Sequence, residues 1–304
     1  MSKAMRRSFT SGTFMFTLDG STDTGYVKSV DGGAYKGEVA AEQAGPDYTR
    51  FKHITTVDIE PITLELGMAV SNRMIKWIGD SWKKKYSRRD GSILHGDFKG
   101  KVHYEQQFKE ALITETTFPA LDASDKNPAY MSVKFQPETL DLHKSSGDLH
   151  ATVGTKQKLW TPASFMLLID GLDCTKVSKI ASFSVKQKVK KLYYGGARHA
   201  QIEPTGIEFP DLEVEMSLAH ADDFIKWHKD YVMTGARDLK MEKTGEIIFY
   251  NHSMMDALMS IKLERIGICG IQLLKSEAMA EQVKKVKISL YCDSMSISPG
   301  IGLE

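Results

Sequence analysis

Two segments of this chain, about 150 residues apart, run through the same residue pattern in the same order. The run Phe14-Met15-Phe16-Thr17-Leu18-Asp19-Gly20 returns as Phe165-Met166-Leu167-Leu168-Ile169-Asp170-Gly171. Ile75-Lys76-Trp77 with Asp80 returns as Ile225-Lys226-Trp227 with Asp230. Asp19 precedes Trp77 by 58 residues, and Asp170 precedes Trp227 by 57. Residues 62–69 align without a gap over 212–219, and the alternating segment 133–142 matches 288–297. Ordered matches at matched spacing make the chain a duplication, anchored at Asp19, Gly20, Trp77, Asp170, Gly171 and Trp227.

The expected copies span residues 1–142 and 161–304. Residues 143–160 carry polar and turn-forming side chains without periodicity and read as a linker. Each copy opens on a strand that ends at Asp-Gly, a pair suited to hairpin turns. In the second copy, residues 183–194 alternate with period two and stop at Gly195-Gly196. The matching part of the first copy, from Asp31 to Tyr48, is looser and glycine-containing, and reads as a long loop. Residues 62–69 and 212–219 alternate as half-buried strands. A helix follows each. Met74, Trp77, Ile78 and Trp82 share one helical face, as do Phe224, Trp227 and Tyr231. Asp222 and Asp223 favour the second helix's N-terminus. The fold class expected is mainly β (α+β), with two tandem sandwich or barrel domains, each flanked by an amphipathic helix.

Composition narrows the function classes. Forty basic and 39 acidic side chains leave a net charge of +1, so no global field draws the chain to nucleic acid or an anionic membrane. Three cysteines, none in a Cys-x-x-Cys pair, fit buried free thiols better than a disulfide framework or a zinc ribbon. The first residues have charge but no apolar stretch behind them, which argues against a secretory signal. The apolar run 165–169 is far shorter than the roughly 20 residues a membrane span needs.

With its elements in order, each copy resembles the tail tube family of contractile phages and related injection systems. In the second copy the resemblance rests on Ile169-Asp170-Gly171, residues 177–194, Gly195-Gly196, residues 212–219, Trp227 and residues 287–297. In the first it rests on Leu18-Asp19-Gly20, residues 62–69, Trp77 and residues 131–142. Most tube subunits hold one such domain and this chain holds two, which widens the resemblance to tube initiators, terminators, caps and baseplate hubs.

What this implies is a structural subunit and not an enzyme. Its edge strands would join neighbouring sheets around a channel. The implied assembly is a homo-oligomeric ring in a virion tail or injection particle, built in the host cytoplasm. Three chains would give a pseudo-sixfold ring; six would leave one copy lining the channel. Implied partners are adjacent tube, baseplate or sheath proteins, with DNA or cargo passing through without sequence recognition and no membrane. A trimeric hub or tube initiator that adapts threefold to sixfold symmetry is the alternative within this class. A monomeric duplicated barrel that binds sugar or peptide is the alternative outside it.

Individual residues add expectations of their own. Asp31, Tyr35, Lys36 and Tyr48, with Tyr194, Gly195 and Gly196, are candidate contacts between rings, competing with plain solvated loops. Lys83-Lys84-Lys85 with Arg88-Arg89, and Lys186, Lys188, Lys190 and Lys191, read as solvated faces before nucleic-acid contacts. Trp77 and Trp227 read as core residues, while Trp82 and Trp160 are free to anchor an interface. His220 and His228 lie eight apart, which is no helical metal pair, and His199 has no partner spacing. Gly267-Ile268-Cys269-Gly270 sits in an apolar run and reads as a buried turn or bulge. No nucleophile elbow, phosphate loop or dinucleotide turn occurs, so no catalytic, metal or cofactor-binding residue is nominated.

Overall fold

The computed structural model describes residues 13–22, 25–43, 45, 50–149, 160–196, 199–235, 241–275 and 283–300. The first half holds β1 (Thr13–Leu18), β2 (Gly25–Gly32), β3 (Tyr35–Gln43), β4 (Arg50–Ile59), β5 (Ile62–Val70), helix α1 (Asn72–Trp82), β6 (Arg89–Gly96), β7 (Val102–Phe118), β8 (Leu121–Asp122), β9 (Met131–Gln136) and β10 (Thr139–Lys144). The second holds β11 (Phe165–Ile169), β12 (Val177–Ile180), β13 (Phe183–Leu192), β14 (Gln201–Glu208), β15 (Leu212–Ser217), helix α2 (Asp222–His228), β16 (Lys243–Tyr250), β17 (Ala257–Leu273) and β18 (Lys285–Pro299). A π-helical turn, Lys229–Met233, extends α2.

The chain is mainly β, and its two large sheets follow one plan. The first runs β1-β6-β7-β9-β5-β2, and the second runs β11-β16-β17-β18-β15-β12. Every pairing along these paths is antiparallel. Details repeat as well. Long strands β7 and β17 each carry one residue in the left-handed region, Glu110 (φ 53°) and Arg265 (φ 54°), 155 residues apart. Hairpins β3–β4 and β13–β14 each shift register at equivalent places, after Gly37 and after Lys188. Beside that shift Thr55 donates to the Glu38 carbonyl and Thr205 to the Lys188 carbonyl, both at 3.2 Å.

The helices form where the sequence places them. The Ser71 side chain caps α1 by accepting from Met74 N–H at 3.3 Å, satisfying one of the four unpaired N–H groups. Asp222 and Asp223 occupy the first turn of α2, where negative charge offsets the helix dipole. Trp77 is fully buried and its indole donates to the Ser87 carbonyl at 2.9 Å; Trp227 does the same to the Met241 carbonyl at 3.1 Å. Around Trp77 the rings of Phe16, Phe108 and Phe135 pack within 6.2 Å of one another. One contiguous core runs through both halves.

Three local expectations change. The segment from Asp31 is not a long loop: it ends β2 and then forms the β3–β4 hairpin. Both faces of that hairpin meet solvent, and Tyr35, Val39, Phe51 and Ile54 are exposed. With no buried face, the polar and apolar alternation that marks a strand is missing. The Asp-Gly turns are tight, with Asp19 at φ 50° and Gly20 at φ 74°, but each closes one residue pair only, Leu18 with Ser21 and Ile169 with Leu172. The full partners of β1 and β11 are β6 and β16, far along the chain. Finally, β10 continues to Lys144, paired along β7, so residues 143 and 144 belong to the sheet; residues 150–159 of the expected linker lie outside the described residues. The Gly267–Gly270 run holds the expected bulge, between Ile268 and Gly270 in β17.

Candidate interface between the two halves

The two sheets meet edge to edge. The last residues of β7 pair with the start of β13, setting Phe118 opposite Phe183, Thr117 opposite Ser184, Thr116 opposite Val185 and Glu115 opposite Lys186. The β13–β14 hairpin thereby extends the first sheet. A second bridge sets β8 on β12, with Leu121 opposite Ile180. Helix α1 closes the seam from one side, with its Gly79 lying against Ile297 of β18. Contact with both halves is why α1 buries Ile75, Ile78 and Trp82 besides its inner face.

The seam is apolar at its centre. Phe118 and Phe183 stack at 5.0 Å, and Phe118 also stacks on Phe249 at 5.8 Å. Trp82 meets Phe118 and Phe209 edge-on at 6.1 and 6.4 Å. Several polar groups at the margin are paired, while Thr116 Oγ1 and Gln187 Nε2 are buried without a partner. Thr117 and Ser184 hydroxyls lie 2.7 Å apart, and Ser81 Oγ donates to Gln187 Oε1 at 2.5 Å.

Arg88 ties the seam electrostatically. Its guanidinium donates to the Glu138 carboxylate and, across the seam, to the Ile202 carbonyl at 2.6 Å. It also lies 3.2 Å from the Glu203 carboxylate. Glu138 in turn accepts from Ile202 N–H at 2.9 Å. A planar guanidinium with its fork of donors fits this convergence; an ammonium would not.

The residues singled out from sequence fall into three groups. Asp19 and Asp170 hold their turns: Asp19 accepts from Arg89 at 2.7 Å, while Asp170 accepts from the Thr244 hydroxyl. Gly20 and Gly171 supply left-handed backbone, and Trp77 and Trp227 fill the core. Asp31 pairs opposite Thr63, the Tyr35 hydroxyl accepts from Leu140 N–H at 3.1 Å, and Lys36 donates to Glu60 at 2.7 Å. Tyr194, Gly195 and Gly196 lie in the exposed turn after β13, apart from that cluster, and Tyr48 lies outside the described residues.

Lys83, Lys84, Lys85, Lys186, Lys188 and Lys190 are exposed, as a solvated face requires, yet several basic side chains also have carboxylate partners. Lys186 pairs with Glu115 across the seam at 3.8 Å, Lys188 pairs with Glu208, Lys191 with Asp58, and Arg88 is the seam's tie. The carboxylate partners of these four lie 20 or more residues away in sequence, so composition could not reveal them. Trp82 is buried in the seam, and Trp160 is buried against Phe249. Glu138, Phe118 and Glu203 were not found from sequence; the one available signal was an apolar residue ending the first copy's long strand. Among the described residues, no three His, Cys, Asp or Glu side chains converge on a metal position.

Residues 11–141 match the family described as T4-like virus tail tube protein gp19. No curated protein matches the chain. Among solved structures, the chain is similar to one described as the sheath/tube terminator of an extracellular contractile injection system (PVC) in the extended state. That likeness has 17% identity over 46% of this chain and 99% of the other, with a TM-score of 0.40. It is also similar to a chain of the sheath-tube complex of the same kind of system, at 10% identity, 44% and 88% coverage and a TM-score of 0.36. A chain from the anti-feeding prophage baseplate gives 12% identity, 44% and 92% coverage and a TM-score of 0.34.

Proposed function

We propose, from the match of residues 11–141 to the tail tube family, that the whole chain is a structural subunit of a contractile tail or injection apparatus. Its two halves are tandem copies of one domain, standing side by side around a channel. The observation that carries this reading is the pairing of β7 with β13. It joins two sheets of the same strand order edge to edge and, among the described residues, leaves the outer edge of β3 and the end of β17 without a partner strand on one side. Two equivalent lobes already joined in one chain favour three chains per ring over six.

The seam also speaks against a monomeric binding module. Its centre is filled with Phe118, Phe183 and Trp82, which leaves the joint between copies packed rather than hollow. One open depression, lined by Asp170, Glu246, Lys262 and Glu264, holds about 370 Å³. Within the structural class, a threefold hub or initiator, a cap and a tube segment share this architecture. The ring's neighbours would be tube, sheath or baseplate proteins, and DNA or cargo would cross it without sequence recognition.

Negative-stain electron microscopy with rotational averaging, together with mass by light scattering, tests the reading. Rings of six similar lobes at the mass of three chains are expected. A particle that stays monomeric at high concentration, with or without adjacent tail components, overturns it and favours the binding module.

A further inference from the structure

The seam inside the chain specifies the seam between chains. Hairpin β3–β4 is equivalent to β13–β14 at an offset of 150 residues, through the shared register shift. Strand β17 is equivalent to β7 at an offset of 155, through the shared left-handed residue. In the first half, the end of β7 is covered by β13. In the second, the end of β17 pairs with β18 on one side only among the described residues, and β3 pairs with β4 alone. Each end of the chain therefore carries one half of the seam, without its complement.

Exposure follows the same rule. Several positions buried in the internal seam are open at their equivalents, although Phe183 and Phe209 correspond to buried Gly33 and Ile59. Phe118 becomes exposed Leu273, Val185 becomes exposed Tyr35, and Trp82 becomes exposed Val232. Ile297, 5% exposed under α1, becomes Leu142, 63% exposed. A row of apolar side chains at two free sheet edges is an association surface unless something covers it.

Two pairs of positions that meet across the internal seam are reciprocally changed at the free ends. Arg88 faces Glu203 in the internal seam. Its equivalent is Glu242, and the equivalents of Ile202 and Glu203 are Lys52 and His53, so the acidic side chain of the internal seam is replaced by a histidine beside a lysine. The cation of the cluster moves to Arg265, which holds Glu242 at 2.8 Å and Asp293 at 2.9 Å. Within its own chain His53 lies 3.8 Å from Glu42. Size changes too: Ser81 meets Gln187, whereas their equivalents are the large Tyr231 and the side-chain-free Gly37.

We propose that the outer edge of β3 receives the end of β17 from a second copy of this chain. The pairing sets Tyr35 opposite Ile271 and Lys36 opposite Gly270, with the exposed Asp293 carboxylate on the side of Lys52 and His53. This deepens the ring reading and rests on it.

The test uses the full chain with Cys269→Ser as background. Tyr35→Cys with Ile271→Cys is expected to oxidise to chains linked one to the next, ending in a closed three-chain species on a non-reducing gel. The out-of-register pair, Val39→Cys with Ile271→Cys, is expected to stay unlinked. Separately, Lys52→Glu with His53→Glu, on the exposed hairpin, is expected to weaken self-association about tenfold, the scale of a close charge coupling. Rings that assemble without linking at 35–271, and that ignore the charge change, overturn this joint and leave the ring reading standing. A wild-type chain that never self-associates ends both.

Discussion

Replacing Arg88 by alanine removes the tie between the halves without touching the aromatic centre. The magnitude follows from what it leaves behind. Glu203 is 42% exposed, so losing its ion pair costs well under 1 kcal/mol. Glu138 is only 15% exposed and is the larger loss. Its one remaining partner at the seam is Ile202 N–H, and a half-buried carboxylate deprived of its cation costs about 2 kcal/mol. The Ile202 carbonyl also loses a charge-assisted bond, worth about 1 kcal/mol. About 3 kcal/mol is therefore expected for Arg88→Ala. Arg88→Met keeps most of the stem's packing and should lose nearly as much, because the loss is polar.

Urea unfolding followed by tryptophan fluorescence measures it, and the double variant Arg88→Ala with Glu138→Gln supplies the coupling. The double variant should recover about 1 kcal/mol or more relative to additivity. A midpoint unchanged by Arg88→Ala, or full additivity of the two changes, refutes the view that this cluster ties the seam.

Three further outcomes are expected. Trp82→Ala should cost about 3–5 kcal/mol, because it empties the ring cluster formed with Phe118 and Phe209; a thermal midpoint within 2 °C of wild type contradicts it. In thiol labelling at pH 8 with the chain folded, exposed Cys269 should react first. Burial pushes Cys174 and Cys292 up to about 11, leaving too little thiolate to compete, and mass spectrometry of the adducts decides. Stability should fall in acid. The Ser29 hydroxyl holds the Glu65 carboxyl below its usual range, the Ser124 hydroxyl and N–H do so for Asp122, and the Arg265 guanidinium for Glu242. A folded-state value below the unfolded one means this stabilisation is complete above the ordinary carboxylate range, about pH 4, and is lost as pH falls through it. A urea midpoint at pH 3 equal to that at pH 7 contradicts the assignment.

The duplication and the helices were legible in the chain because short-range chemistry sets them. An apolar stripe at helical spacing, a serine cap and a strand that stops at Asp-Gly each depend on neighbours within a few residues. The tryptophans read as core because their stripes have one face. Hairpin β3–β4 was hidden for the converse reason: Val39, Phe51 and Ile54 point into solvent, so no alternation marks the strands.

Sequence alone therefore determined that the fold is mainly β, and it supplied the expectation of two copies with their anchor residues. Tertiary structure decided how the copies meet. Arg88 and Glu138 lie 50 residues apart and Phe118 and Phe183 lie 65 apart, and nothing local says that they touch. A sheet edge has no side-chain pattern of its own, because its bonding groups belong to the backbone that every residue shares. Only once β13 is seen closing β7 do the open edge of β3 and the bare end of β17 acquire a meaning.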